Sequence, residues 1–393
     1  MGTPLFRSFW QAGFESACHI NRAGVRLDML AATQHDRQAA ADYARLRSLG
    51  IQVARDGVRW PLIERGGAFD FSSLAPMVDA ANAHDMQIIW TLCHYGWPDD
   101  LDVFSPEFPG RFARFCAAAA RFIGERNDGV PFYTLINEIS FLAWAAGDVG
   151  WFRPLARERG GELKRQLVRA VIAAADAIWE VDSRARLVHV DPVIHVIPPR
   201  NRPDLVEAAA VQRASQFEAW DMLAGLASPE LGGHPRYLDI MGLNFYHANE
   251  WEFPDQRLRW EDDPRDERWR PLHLLLAEVY ARYRRPLFLG ETSHFGVGRA
   301  PWLRETVDEV QKLRALGIPF EGICIYPILD RPDWDDPTHW HNSGLWDLEP
   351  DARGVLERVL NVDYADELRR AQRLLPEPFA IPSGIVAAAS VLA

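Results

Sequence analysis

"PFYTLINEIS", residues 131–140, decides how the rest of the chain is read. Phe132, Tyr133, Leu135 and Ile136 build a buried strand, and Asn137–Glu138 then set an amide and a carboxylate where that strand ends. Taken alone, a polar pair in that place is a turn or a helix cap. At the C-terminal end of a barrel strand it is an acid delivered to a shared cleft. The other stretches of the chain decide between the two.

Seven further apolar runs have the same character: "FWQAGFESACH", "IQVARDGVRW", "MQIIWTLCHY", "ARLVHVD", "LDIMGLNFY", "PLFLGE" and "GICIYPI". Amphipathic patterns lie between them, over 36–49, 72–84, 109–126, 161–182, 204–225, 268–284 and 301–316, with a last one near 351–360. In the third, Phe112, Phe115, Ala119 and Phe122 recur at three- and four-residue steps, the helical period. Gly50 and Gly317 follow their helices where a C-terminal cap belongs. Strands alternating with helices imply parallel pairing through right-handed crossovers. Eight such units predict an α/β fold, a closed (β/α)8 TIM barrel in a single domain over 1–362. The change of composition beyond it predicts a C-terminal extension, 363–393, docked or flexible. Segment 248–271, charged and Trp-rich, reads as a long irregular loop on the active-site face after strand six.

The bulk composition narrows the partners. A formal net charge of −12 over 393 residues argues against nucleic acid or an anionic membrane as a partner. No run of eighteen apolar residues predicts a membrane span, and the N-terminus lacks a basic segment followed by an apolar one. Cys18, Cys93, Cys116 and Cys324 show no C-x-x-C spacing and read as reduced, buried residues of a cytoplasmic protein. Fifteen Trp suit either a core or stacking on sugar rings. Oligomeric state is left open.

Polar residues stand at nearly every strand end: His19, Arg55, Trp60, His94 to Trp97, Asn137–Glu138, Asp191, Asn244, Tyr246, Glu291, Tyr326 and Asp330. Each singly has a structural reading as a cap or ion pair. Together they carry a desolvation cost unless they face one cleft. Glu138 and Glu291 end strands four and seven, across the same opening. Paired carboxylates suit glycoside hydrolysis, in which one protonates the leaving oxygen while the other attacks the anomeric carbon or activates water. Their surroundings must then push the two pKa values apart. Arg55 and Tyr246 are the natural partners of an ionised Glu291.

From about residue 8 to 350 the chain resembles the family 1 glycoside hydrolases, the β-glucosidases and relatives. "FESACHI" resembles A-T-S-A-Y-Q-I, "RDGVRWPLIE" resembles R-F-S-I-S-W-S-R-I, and "TLCHYGWPDDL" resembles T-L-Y-H-W-D-L-P-x-x-L. "TLINEIS" is similar to T-F-N-E-P, "GLNFYH" to G-x-N-Y-Y-T, and "LGETS" to I-T-E-N-G. "YPILDRPDW" followed by "SGLWDLE" resembles W-S-L-L-D-N-F-E-W followed by F-G-L-V-Y-V-D. The resemblance implies a retaining β-glycosidase with Glu138 as acid/base, Glu291 as nucleophile and carboxyl groups about 5–5.5 Å apart. It implies Asn137 at the sugar 2-hydroxyl, Arg55 and Tyr246 on Glu291, and His94, Asp333 and Trp334 on the sugar at the cleaved bond. Asn244 is taken as a further substrate contact. It implies no metal and no organic cofactor.

The departures concern the substrate. His19 stands for a sugar-binding Gln, Asp333 for Glu, Tyr326 for a Trp beneath the sugar, Ile139 for Pro, and Thr292–Ser293 for Asn-Gly. The family's Ser and Lys signature for a 6-phosphate is missing. Three other readings compete. One is transfer of the sugar to a sugar or lipid hydroxyl, and another is a non-catalytic carbohydrate-binding barrel. The third, a metal-dependent hydrolase through His189 and Asp191 or His339 and His341, fits poorly. Strand one has no His-x-His, and strand four has no ligating Lys or Cys.

Overall fold

The structure, a computed structural model, describes residues 4–376. Eight parallel strands close a barrel in chain order: β1 (Trp10–Gly13), β2 (Val53–Gly57), β3 (Gln87–Thr91), β4 (Phe132–Thr134), β5 (Arg186–Pro192), β6 (Ile240–Asn244), β7 (Leu287–Thr292) and β8 (Ile323–Ile325). β8 pairs back onto β1 through Trp10 opposite Ile323 and Gln11 opposite Cys324. The (β/α)8 TIM barrel is therefore the architecture, and every expected strand run contributes one stave.

The helices are α1 (His35–Ser48), α2 (Ala75–Ala83), α3 (Phe108–Gly124), α4 (Gly160–Val181), α5 in two pieces (Val206–Ala214 and Glu218–Ala224), α6 (Leu272–Tyr283), α7 (Arg299–Ala315) and α8 (Val362–Leu374). They cover the strands with a continuous apolar layer. Period-two alternation sorts each strand's side chains between that layer and the barrel interior. Val53, Ile89, Phe132, Val188, Val190, Ile240, Phe288 and Cys324 fill the interior, with Phe6 plugging it against Phe132 and Phe288. Arg55 lies two residues beyond Val53, so the same alternation points it inward at the upper rim.

Two expectations are corrected. The helix expected near 351–360 is instead the second arm of an antiparallel hairpin, Trp346–Pro350 with Leu356–Leu360. Asp351 accepts from the Arg353 and Val355 amides at 2.8 Å each, and Gly354 takes φ +79°, which turns the chain too tightly for a helix. The helix that closes the last unit is α8, capped by the Asn361 side chain on the Tyr364 amide at 3.1 Å. Tyr364, Ala365, Leu368 and Ala371 form its buried stripe. Segment 248–271 is likewise not wholly irregular. Glu250–Glu252 and Gln256–Arg257 join His195–Ile197 in a three-stranded sheet over the β5 and β6 ends. Residues 377–393, the distal part of the expected extension, lie outside the described residues. No helix among the described residues is long and apolar enough to cross a membrane. The four cysteines are free and buried.

Candidate active site

Glu291 sits on a register shift of β7. Leu289 pairs with Leu243 and Glu291 with Asn244, so one residue is gained between them, a bulge that re-aims the side chain. The residue between is Gly290, where a Cβ would lie 2.7 Å from Asn244 Oδ1. Arg55 Nη1 donates to Glu291 Oε1 at 2.9 Å and to the Gly290 carbonyl at 2.7 Å. Tyr246 Oη donates to Glu291 Oε2 at 2.8 Å. Burial and the neighbouring carboxylates push the Tyr246 hydroxyl well above the ordinary phenol range, so it stays a donor. Glu291 is thus held between a guanidinium and a hydroxyl, with a countercharge at hand.

Glu138 has different company. Tyr95 Oη donates to its Oε2 at 2.7 Å and Asn244 Nδ2 to its Oε1 at 2.8 Å, both neutral donors. Burial first, then the charge of Glu291, push its carboxyl up to about 8, against the downward pull of those two hydrogen bonds. Both Glu138 (φ +45°) and its partner Tyr95 (φ +66°) hold a left-handed backbone that L-residues avoid. Strain of this kind persists where the surrounding structure over-determines it. The Glu138 amide continues the β4 ladder onto the Val190 carbonyl at 3.0 Å, and Asp191 anchors the next turn through Ser140 Oγ at 2.8 Å.

Asn137 joins the two halves. Its Oδ1 accepts from Arg55 Nη2 at 2.7 Å, and its Nδ2 donates to Tyr95 Oη at 3.0 Å and reaches His94 Nε2 at 3.3 Å. Burial lowers His94 to about 3, so its ring is neutral. With Nε2 accepting from Asn137, the assigned proton is on Nδ1, facing Ser16 Oγ at 3.0 Å and Tyr326 Oη at 3.3 Å. The Tyr326 ring lies under Arg55, with the guanidinium carbon 5.2 Å from its centroid.

The remaining candidates take other places. His19, lowered to about 3 by burial, packs its ring 4.3 Å from Phe152 and 4.8 Å from Trp334. Trp334 also meets Tyr95 at 5.9 Å and Trp151 at 5.9 Å, so this side of the cleft is an aromatic wall. Asp333 is occupied by its own loop: its Oδ1 accepts from the Asp335 and Asp336 amides at 2.8 and 3.1 Å, and its Oδ2 faces His341 Nε2 at 3.1 Å. Asn244 touches Glu138 directly and leaves its buried Oδ1 without a partner. Arg55, His94, Asn137, Asn244, Tyr246, Tyr326, Glu138 and Glu291 are therefore one connected network, with His19 and Trp334 beside it and Asp333 turned to its loop.

Sequence reasoning counted Tyr95 among the strand-end residues but gave it no role, whereas it bridges Asn137 and Glu138. It also gave no role to Glu15. That buried carboxylate accepts from the Ala17 amide at 2.9 Å and lies 3.4 Å from Arg331 Nε and 3.6 Å from His94 Nε2. Neither His189 with Asp191 nor His339 with His341 forms part of a convergent ligand group among the described residues. One group of three does converge there, His247, Glu261 and His294, on the loops after β6 and β7.

No protein-family model and no curated protein matches the chain. Solved structures do. The family 1 β-glucosidase from Thermotoga maritima superposes with a TM-score of 0.73 at 16% identity, over 93% of this chain and 97% of that one. The β-glucosidase from Thermotoga maritima in complex with glucoimidazole gives 0.73 at 15%, over 93% and 98%. The AHE enzyme from Alicyclobacillus herbarius gives 0.69 at 17%, over 86% and 88%. The likeness is one of fold, carried along almost the whole barrel.

Proposed function

We propose that the protein is a retaining β-glycosidase working by double displacement, with Glu291 as nucleophile and Glu138 as acid/base. The observation that carries this reading is the opposite provision for two carboxylates at the ends of β4 and β7. Glu291 has a guanidinium 2.9 Å away, while Glu138 has only neutral donors and is raised to about 8. These opposite surroundings support the division into acid and nucleophile that the chemistry requires.

In the first step a Glu291 oxygen attacks the anomeric carbon as the glycosidic bond breaks, and the Glu138 proton passes to the departing oxygen. The product is a glycosyl ester on Glu291. In the second step Glu138, now a carboxylate, takes a proton from water as that water attacks the same carbon and frees Glu291. Arg55 releases one contact to Glu291 as its charge is spent on the ester and recovers it on hydrolysis. Asn137, fixed by Arg55 and Tyr95, is placed to hold the 2-hydroxyl, whose hydrogen bond strengthens in the transition state. The aromatic wall of His19, Phe152 and Trp334 offers ring faces and edges to an apolar sugar face. The likeness to a family 1 β-glucosidase and to a β-glucosidase in complex with glucoimidazole agrees with a carbohydrate substrate.

The test is a panel of aryl β-glycosides (gluco, galacto, fuco, manno, xylo and glucuronide), with the anomeric configuration of the first product followed by NMR. The β-anomer should appear first and then mutarotate. An α-anomer appearing first would overturn the retaining mechanism, and tight binding with no turnover on any member would overturn catalysis.

A further inference from the structure

Adjacent strands β6 and β7 each carry a histidine three residues past the same register pair. Asn244 pairs with Glu291, and His247 and His294 follow at equal distance on the two loops. Parallel neighbours displaced equally end side by side, and the two imidazole centroids lie 4.2 Å apart. Glu261, from the excursion after β6, closes the group, and one ligand atom from each of the three lies within 4.8 Å of the others. We propose that His247, His294 and Glu261 form a binding site for a divalent transition-metal ion of the zinc type, a clip that pins the 248–271 excursion to the β7 loop.

Two ligand atoms each about 2.0–2.1 Å from a tetrahedral zinc lie roughly 3.3–3.4 Å apart. His294 Nε2 and Glu261 Oε1 are 3.3 Å apart. The far nitrogen of His294 is engaged at Phe295, whose amide donates to Nδ1 at 2.8 Å and whose carbonyl lies 3.0 Å from it, and these contacts fix the ring's orientation with Nε2 towards Glu261. His247 is 9% exposed, yet its buried Nδ1 has no hydrogen-bond partner. A buried polar atom without a partner is costly, and metal ligation of the ring supplies a reason to hold it there. Phe295, Trp260 and Trp302 wall the two rings, with centroids 4.8 Å from His247, 5.1 Å from His294 and 6.0 Å from His294 respectively. Such a shell strengthens a metal site by excluding water.

Two imidazoles and one carboxylate are borderline ligands, the set that favours zinc over magnesium or calcium. Water takes the fourth position. Arg257 Nη2 donates to Glu261 Oε1 at 3.1 Å and Arg257 Nε to the His247 carbonyl at 3.2 Å. It steadies both ligands, while its charge opposes the ion and keeps affinity below that of a thiolate site.

The experiment uses the full chain, stripped with a chelator and dialysed. Zn2+ is titrated by calorimetry, and Co2+ by the visible absorption of a tetrahedral ion. One ion per chain with Kd at or below about 1 μM is expected. His247→Ala and His294→Ala should each weaken binding by about 100-fold and Glu261→Gln by at least about 10-fold. His341→Ala, a control for the His339 and His341 pair, should leave binding unchanged. Glu261 lies at the surface, so the Glu261→Gln protein should keep the metal-free melting temperature of the parent, which separates ligand loss from misfolding. Bound Zn2+ should also protect 248–271 from proteolysis in the parent and not in that variant. Absence of stoichiometric binding to the stripped parent, or binding that survives loss of both histidines, overturns the proposal.

Discussion

Replacing Tyr95 by Phe removes one hydroxyl and leaves the ring, which stacks 5.5 Å from Phe152, in place. The hydroxyl donates to Glu138 Oε2 at 2.7 Å, so its loss is felt by the acid itself. A hydrogen bond to an ionised group contributes about 1.5–3 kcal/mol and one to a neutral group about 0.5–1.5 kcal/mol. The difference, roughly 1–1.5 kcal/mol, favours ionised Glu138, so removing it raises that pKa by about one unit. The sign is therefore upward: Glu138, at about 8 with Tyr95 present, becomes a weaker acid still. The assay is the pH dependence of kcat/KM on an activated aryl β-glycoside, whose basic limb reports loss of the catalytic proton in the free enzyme. Tyr95→Phe should move that limb from about 8 towards about 9, leaving activity extended on the alkaline side. Because Asn244 still donates to Oε1, the acid keeps one anchor. A limb that stays put, or moves to lower pH, would refute the argument that Tyr95 tunes Glu138.

Glu138→Gln should abolish turnover of substrates with poor leaving groups while stabilising the fold as pH rises. The native carboxyl keeps its proton to about 8 and the unfolded chain releases it near 4.5, so the parent loses stability across that window and the Gln protein does not. A melting-temperature difference that stays flat from pH 5 to about 8 would contradict this. His35 is buried, which opposes its charge, yet Asp56 and Asp42, each 2.9 Å from a ring nitrogen, raise it to about 9. Its stabilisation is complete below the unfolded value of about 6.5 and is lost as pH rises through about 9. His35→Leu should cost about 3–5 kcal/mol at pH 6 in denaturant unfolding and flatten that decline. At Gly13 a Cβ would lie 1.9 Å from Tyr326 Cδ2, so Gly13→Ala should cost about 1–3 kcal/mol by displacing the ring under Arg55. An unchanged melting temperature would show that Tyr326 is not fixed there.

The barrel was legible because its strands are short apolar runs bounded by Gly and polar residues, and because eight of them alternate with helical periods. The carboxylate pair was legible for the same reason: once strands four and seven are assigned, the topology puts Glu138 and Glu291 at one rim. What escaped depends on contacts between loops. Asp351 and Gly354 make a hairpin turn, but the apolar residues around them also fit a helical stripe. The sheet in the excursion needs His195–Ile197 as its partner, more than fifty residues away in the chain. Asp333 reads as a pocket residue from its motif, yet the Asp335 and Asp336 amides close on it first. Tyr95 acts through a left-handed backbone that no local pattern announces. The histidines at 247 and 294 were readable in principle, since equal offsets on neighbouring strands place them together, but only after the β6 and β7 register is known.

The central claim is that Glu291 attacks and Glu138 carries the proton, and azide rescue separates the two roles by stereochemistry. In Glu291→Gly, azide fills the space of the lost nucleophile and displaces an activated aryl leaving group from the opposite face, giving the α-glycosyl azide. In Glu138→Ala, Glu291 still forms the glycosyl ester, and azide attacks that ester from the aglycone side, giving the β-glycosyl azide. Both rescues are expected, with those opposite configurations. Exchanged configurations, or full activity in Glu291→Gly without azide, would contradict those roles.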